Sequence, residues 1–125
     1  MPFAPEPTWE HVMRQEQLKG HLDGLILAVL ADQALHGYAV MEALKERSHG
    51  ALTIEGGTLY PALHRLEDAG LISGSWSVIS GRRRRTYALT ARGRKELAAQ
   101  RTAWGEFVRV MGGILSPDLA SEGAP

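Results

Sequence analysis

Cysteine is absent from this chain of 125 residues. Its absence excludes a disulfide framework, a thiolate metal site and a thiol nucleophile. Histidine occurs at five scattered positions that form no H-x-x-x-H pair, so the sequence predicts no metal site. Because no G-x-S-x-G, Walker or dinucleotide-binding pattern occurs either, we expect neither an enzyme nor a bound cofactor.

Long apolar runs are also missing. The longest, residues 25–31, is far too short to span a bilayer, and the acidic, proline-rich start of the chain has no signal-peptide core. A hydrophobic fraction of 44% argues against disorder, and the length suffices for one domain with one modest core. These features predict a soluble, cytoplasmic protein.

Net charge is zero, yet the charges are unevenly distributed. Residues 81–101 hold eight basic side chains and one acidic side chain, a net charge of +7. The rest of the chain holds six basic and thirteen acidic side chains, a net charge of −7. A localised basic stretch of this kind is typical of a binding site for a polyanion.

Apolar residues at helical spacing predict most of the secondary structure. They mark a helix over residues 22–30, a second over about 36–48 and a third over 55–70. Residues 32–37, between the first two, are predicted to form a turn. A further helix carrying Trp9 is expected near the start of the chain, within an extension that packs on the last helix.

The third helix is the element around which the rest of the chain is organised. Helical spacing directs one set of its residues to the core: Leu59, Ala62, Leu63, Leu66 and Ala69. A second set faces outward: Gly57, Tyr60, Pro61, His64, Arg65 and Asp68. Since proline is best tolerated near a helix start, we expect the helix to begin close to Gly57, with free N–H groups that attract phosphate. The alternative is an ordinary amphipathic helix with a glycine-rich entry.

A change of period marks a β-hairpin after this helix. Residues alternate over 71–79 and again over 85–89, which predicts two strands joined by a turn at residues 80–83. Three helices followed by a basic hairpin form a winged helix-turn-helix, a fold that places one helix in the DNA major groove. Residues 82–85 are then the basic wing, and the alternative is a solubilising charged turn.

The last helix carries an apolar seam at heptad-like spacing. Its members are Leu97, Trp104, Phe107, Met111 and Ile114. So long a stripe needs a partner helix, and a symmetric dimer is the simplest source; the alternative is that the helix folds back on its own domain. The fold class is thus mainly α with a small hairpin, a winged helix-turn-helix flanked by N- and C-terminal dimerisation helices. We expect an N-terminal extension at residues 1–19 and a DNA-binding domain at residues 20–90. A dimerisation helix at residues 91–115 and a disordered tail at residues 116–125 follow.

Three motifs give the chain a resemblance to the PadR family of transcriptional regulators: LHGYAVMEAL, GGTLYPALHRLEDAGLI and GRRRRTYALTARGRKEL. The resemblance covers residues 20–107, and the chain looks like the short subgroup with a single C-terminal helix. It implies a homodimer, usually a repressor, that binds a double-stranded operator with two-fold symmetry. It also implies that small aromatic or cationic molecules, or other cues, release the DNA.

The resemblance further implies which residues face DNA and which face the partner. Its DNA-facing positions correspond to Tyr38, Thr58, Tyr60, Pro61, His64 and Arg65, with the wing at Arg82, Arg83, Arg84 and Arg85. Arg65 suits a bidentate contact with guanine or phosphate. Core packing of Tyr38 and a plain surface role for His64 are the alternatives. Dimerisation falls to the seam of the last helix and to Trp9.

An effector site is expected in the last helix. Trp104 resembles a position at which paired rings of relatives sandwich a planar ligand, and Phe107 lies nearby; the alternative is that Trp104 fills the dimer core. Two competing functions are a winged helix used only for protein contacts and an RNA-binding domain. The basic wing argues against the first, and the lack of an exposed aromatic sheet argues against the second.

Overall fold

The computed structural model describes residues 21–116. Within them, α1 covers residues 21–30 and is followed by the elements β1 (Leu35–His36), α2 (Gly37–Arg47), α3 (Gly56–Asp68), β2 (Ile72–Ile79), β3 (Arg82–Leu89) and α4 (Ala91–Leu115). The strands form an antiparallel sheet in the order β1-β3-β2. Four helices with this small sheet make the predicted winged-helix fold. The N-terminal extension with Trp9, and the tail beyond Ser116, lie outside the described residues.

One hydrophobic core joins the helices to the sheet. Its largest fully buried side chains come from four elements: Ile26, Leu27, Leu30, Val40, Leu59, Leu63 and Ile72. Burial of each such side chain contributes about 1.5–3 kcal/mol relative to exposure, so this cluster dominates the stability of the domain. No charged or polar side chain is fully buried among the described residues.

Helix α3 has the two unlike faces that the sequence predicts. Leu59, Ala62, Leu63 and Leu66 are buried, whereas Ala69 is exposed because it lies past the helical part, as the C-terminal cap. The chain leaves the helix through Gly70, whose φ of +78° is strained for any side chain but free for glycine.

Helix α3 begins at Gly56, next to the start predicted close to Gly57. Pro61 is its sixth residue and lies beyond the first turn. Its missing N–H removes one intrahelical bond, to the carbonyl of Gly57. Glu55 caps the helix with its backbone, because its carbonyl accepts from the N–H groups of Thr58 and Leu59, both at 2.9 Å.

The predictions for β1 and for the hairpin turn need correction. Residues 32–37 are not all turn, because Leu35 and His36 pair with Tyr87 and Thr86 of β3. Two residues are too few for an alternating pattern to be recognised. The hairpin turn is also shorter than predicted: Ile79 pairs with Arg82, so only residues 80 and 81 form the loop. Both have positive φ, 52° and 76°, as a tight two-residue hairpin requires.

A close contact fixes the start of α4 against the turn between α3 and β2. The Thr90 hydroxyl caps the helix by accepting from Gly93 N at 3.0 Å, while Thr90 N donates to the Leu71 carbonyl at 3.1 Å. A Cβ atom on Gly93 would lie 2.0 Å from that same carbonyl oxygen. Only glycine therefore permits this approach.

Candidate nucleic-acid interface

The outward face of α3 presents an unusual set of side chains to solvent. Thr58, Tyr60, Pro61, His64 and Arg65 are all exposed, on the side opposite the core. Together they offer hydroxyl, imidazole and guanidinium groups along a single helix. A helix that exposes donors and acceptors of this kind can enter the DNA major groove.

The ring of Tyr60 is positioned by a glycine at the start of α2. A Cβ atom on Gly37 would lie 2.6 Å from Tyr60 Cε1 and 2.8 Å from its hydroxyl oxygen. The ring therefore rests directly on the α2 backbone, and 43% of Tyr60 stays exposed. This contact explains why the sequence has glycine between His36 and Tyr38.

His36 holds this end of α2 as a neutral cap. Its Nδ1 accepts a hydrogen bond from Ala39 N at 3.3 Å, which requires an unprotonated nitrogen. Burial lowers the pKa of His36, and the nearby charge of Arg84 lowers it further. Tyr38 follows immediately after Gly37 and is 55% exposed, so the alternative that Tyr38 packs in the core is wrong.

Arg65 is paired with an acidic residue of α1. Its Nη2 donates to Asp23 Oδ1 at 2.8 Å, and both side chains remain exposed. Exposed pairs of this kind contribute about 0–1 kcal/mol, so Arg65 can exchange Asp23 for another anion at little cost. The structure thus places the predicted base-contacting arginine on the outward face of α3, with an internal anion as its partner. Asp23 could not be identified from the sequence, because it lies 42 residues away from Arg65 along the chain.

The four wing arginines do not form one cluster. They lie in β3 opposite residues 76–79 of β2. Because side chains alternate along a strand, Arg83 and Arg85 share one face, and Arg82 and Arg84 share the other. The single basic tip predicted from the sequence is therefore two pairs on opposite faces of the hairpin.

Arg85 differs from its neighbours because it has an acidic partner. Its Nη2 donates to Glu67 Oε2 at 2.5 Å, and both side chains are partly buried. No acid was expected near the wing, since Glu67 lies on α3, 18 residues before Arg85. Among residues 21–116, no ion pair involves Arg82, Arg83 or Arg84.

The seam of α4 separates into an internal and an external part. Leu97, predicted to contact a partner chain, is instead buried in the core of its own domain. The remaining members are exposed: Trp104, Phe107, Met111 and Ile114. The Trp104 and Phe107 rings stack with their centroids 5.5 Å apart, and the His21 ring of α1 makes a T-shaped contact with Trp104 at the same centroid distance.

Comparison with known proteins decides the family. The model of the transcriptional regulator PadR-like family matches residues 26–99, which is more than half of the chain and includes α2, α3 and the hairpin. The chain belongs to the PadR-like family. Its members are transcriptional regulators that bind DNA, not enzymes, and the chain is accordingly a DNA-binding regulator of transcription.

Individual relatives agree with the PadR-like assignment. The chain is 40% identical over 89 residues to the transcriptional regulator Rv3488 of Mycobacterium tuberculosis, covering 70% of this chain and 80% of the relative. A crystal structure of a PadR family transcription regulator from Clostridium difficile superposes with a TM-score of 0.70, at 32% identity, over 77% of this chain and 99% of that one. A PadR family regulator from Eggerthella lenta gives 0.73, at 29% identity, over 85% and 91%.

Other kinds of site find no support in the part of this PadR-like chain that the structure describes. No helix there is long and apolar enough to cross a membrane. No group of three or more histidine, cysteine, aspartate or glutamate side chains there is placed to hold a metal ion. The features that sequence reasoning missed are Asp23, Glu67 and the exposed indole of Trp76, each of which depends on contacts between distant elements.

Proposed function

We propose that the protein binds a specific, two-fold symmetric DNA operator as a homodimer and represses transcription there. The observation that carries the proposal is the outward face of α3, where Arg65 stands exposed beside Tyr60 and His64. Guanidinium and imidazole groups on an exposed helix face match the hydrogen-bonding edges of bases in the major groove. The chain would act in the cytoplasm, associated with the nucleoid.

Each part of the surface has its own role in this proposal. Arg65 contacts a base, most suitably guanine, after giving up Asp23. Tyr38 and Tyr60 contact phosphate or a thymine methyl group, while Thr58, Pro61 and His64 complete the surface of α3. In the wing, Arg82, Arg83 and Arg84 neutralise phosphates. Arg85 does not contact DNA directly, because it is paired with Glu67.

Dimerisation is assigned to the exposed apolar side chains of α4. Trp104 is 53% exposed and Ile114 is 73% exposed within one chain, and Phe107 and Met111 lie on the same stripe. Large apolar side chains gathered on one helix mark an association surface. A second copy of the chain covers this stripe in the proposal, and Trp9 adds to the same interface from the extension.

Release of the operator is assigned to the pair Trp104 and Phe107. Their rings are nearly parallel, at an interplanar angle of 22°, and a planar aromatic molecule can stack on rings arranged in this way. Binding there would change the spacing of the two recognition helices, because α4 joins the subunits. A role for Trp104 as plain dimer core is the competing interpretation.

The proposal is tested by selecting duplexes from a random pool with the purified protein. We expect an inverted repeat whose half-sites each contain a position controlled by Arg65. Substituting Arg65→Ala should cost about 1–3 kcal/mol for each half-site contact and relax the preference at that position. Arg47→Ala is the matched control, since Arg47 also forms an exposed pair, with Asp32, but lies at the far end of α2.

One outcome would contradict the proposal, and a second would change the role of Arg65 within it. Recovery of no enriched sequence, with binding that does not depend on salt, would leave protein contacts as the function of the winged helix. Equal weakening by Arg65→Ala on all sequences would reduce Arg65 to a phosphate contact, and the specificity would then lie elsewhere.

A further inference from the structure

An exposed tryptophan on the β2–β3 hairpin has no role in the DNA-binding surface described so far. Trp76 lies in β2, and 56% of it is exposed. The guanidinium of Arg83 stands 4.5 Å above its ring, and that of Arg85 lies 5.6 Å from the ring centre. A large exposed indole between two arginines calls for a partner that offers both apolar and anionic surface.

The inner arginine of this group is fixed by α3. Glu67 Oε2 accepts both from Arg85 and from Gly74 N, at 2.5 and 3.3 Å. The guanidinium also lies directly across Gly74, where a Cβ atom would come within 2.7 Å of Arg85 Nε. The Glu67 carboxylate therefore joins α3, β2 and β3. It fixes the position of the Arg85 guanidinium, which lies beside the indole of Trp76.

The outer arginine remains available. Arg83 is exposed, and no ion pair among residues 21–116 involves it. Stacking on the indole restricts the rotamers of a long side chain but leaves the N–H groups at the rim of the guanidinium free. An arginine ordered in this way loses less entropy when it binds an anion than a free one does.

We propose that Trp76 and Arg83 act together as a contact for the DNA backbone, and that Glu67 positions this contact through Arg85. The indole packs against a deoxyribose while the Arg83 guanidinium binds the adjacent phosphate. Glu67 itself touches no DNA and is a positioning residue. The inference rests on the proposed function, because it adds a second contact beside α3 rather than a different ligand.

The first test measures affinity against salt concentration for a selected operator and a random duplex. Trp76→Ala removes no charge, yet we expect affinity to fall about two- to fivefold, and the slope of log K against log salt to fall by roughly 0.9 for each phosphate that the protein no longer neutralises. Trp76→Phe keeps an aromatic face and should stay within about twofold of the native protein. Arg82→Ala, which removes a charge from the opposite face of β3, is the control for simple charge removal.

Two further measurements separate positioning from electrostatics. In a double-mutant cycle, Arg83→Ala should weaken binding less in the Trp76→Ala background than in the native protein, because the two act as one unit. Glu67→Gln removes a negative charge, which alone would strengthen binding to any DNA; we expect weaker operator binding instead. Native tryptophan emission should also change on DNA addition, and this change should disappear in Trp76→Phe while binding persists.

Failure of the inference differs from failure of the proposed function. Trp76→Ala protein that melts normally and binds with native affinity and slope would overturn the inference, as would an unchanged DNA-dependent emission signal in Trp76→Phe. Stronger binding of Glu67→Gln to both duplexes would show that Glu67 does not position the Trp76–Arg83 contact. Native protein that binds neither duplex in a salt-dependent way would instead overturn the proposed function.

Discussion

The two parts of α4 share one heptad-like seam, but the seam residues of the two parts have opposite environments. In the proximal part, residues 91–100, Gly93 and Leu97 are buried, and Gln100 is partly buried where it meets Gly24 of α1. In the distal part, residues 101–115, every residue except Gly112 is exposed to solvent. The same heptad-like spacing thus stabilises one chain in the first part and leaves an uncovered apolar stripe in the second.

This difference shows that spacing identifies a helix face but not the partner that covers it. Leu97 and Trp104 lie seven residues apart and therefore on nearly the same side of α4. Leu97 packs in the core of its own domain, whereas Trp104 is exposed and its ring contacts the rim of that domain, at His21 of α1, and the neighbouring Phe107. Burial of Leu97 and exposure of Trp104 therefore separate the part of α4 that folds with the domain from the part left for association.

The largest expected effect comes from truncating the distal stripe. Trp104→Ala with Phe107→Ala should abolish dimerisation, since each buried ring contributes about 3–5 kcal/mol to such an interface. Secondary structure and the core should survive, because neither ring belongs to the core. Sedimentation equilibrium checks the mass, and circular dichroism checks the fold.

Val78→Ala is the matched control, because it truncates an exposed apolar residue outside α4. It should leave the dimer intact. A Trp104→Ala, Phe107→Ala protein that stays dimeric with native affinity would move the association surface away from the distal part. Unfolding of that double variant as a monomer would mean that the two parts of α4 are not separable.

A smaller but still substantial effect is expected at the proximal end. Gly93→Ala places a methyl group 2.0 Å from the Leu71 carbonyl oxygen, which is backbone and cannot turn aside. We expect destabilisation of about 1–3 kcal/mol or more, seen as a lower urea midpoint. Gly105→Ala, in open space in the distal part, should raise stability by up to about 1 kcal/mol through helix propensity. Equal changes in the urea midpoint for the two substitutions would contradict the difference in packing between the proximal and distal parts of α4.

The smallest effect is expected at Gly24, although its gap is nearly as short. A Cβ atom there would meet Gln100 Oε1 at 2.1 Å, but this oxygen is the end of a flexible side chain. Rotation of Gln100 relieves the clash, so Gly24→Ala should change the free energy of unfolding by less than about 1 kcal/mol. The same denaturant titration measures it. A destabilisation as large as that of Gly93→Ala would show that Gln100 is held rigidly between α1 and α4.

Features that repeat along one element were predictable from the sequence. The buried set of α3 follows from helical spacing, and the strands follow from alternation of period two. The winged-helix fold and the exposed face of α3 could therefore be recognised. The resemblance drawn from the Gly-Thr-Leu-Tyr-Pro stretch also named the family that the comparisons show.

Contacts between different elements could not be predicted from periodic patterns in the sequence. Four consecutive arginines look identical in sequence, yet strand register places them on two faces of the hairpin. Arg85 also differs from the other three because it pairs with Glu67 of α3. The pair of Arg65 with Asp23 and the contact of Tyr60 with Gly37 likewise depend on tertiary placement. Neither leaves a periodic signal in the chain.

The most direct test of a dimeric, operator-binding protein is hydroxyl-radical footprinting of the native chain on its selected operator. A dimer joined through distal α4 should protect two equivalent blocks on one face of the duplex, about 34–36 Å apart, with two chains bound per operator. A single unsymmetrical block with one chain per operator would contradict it.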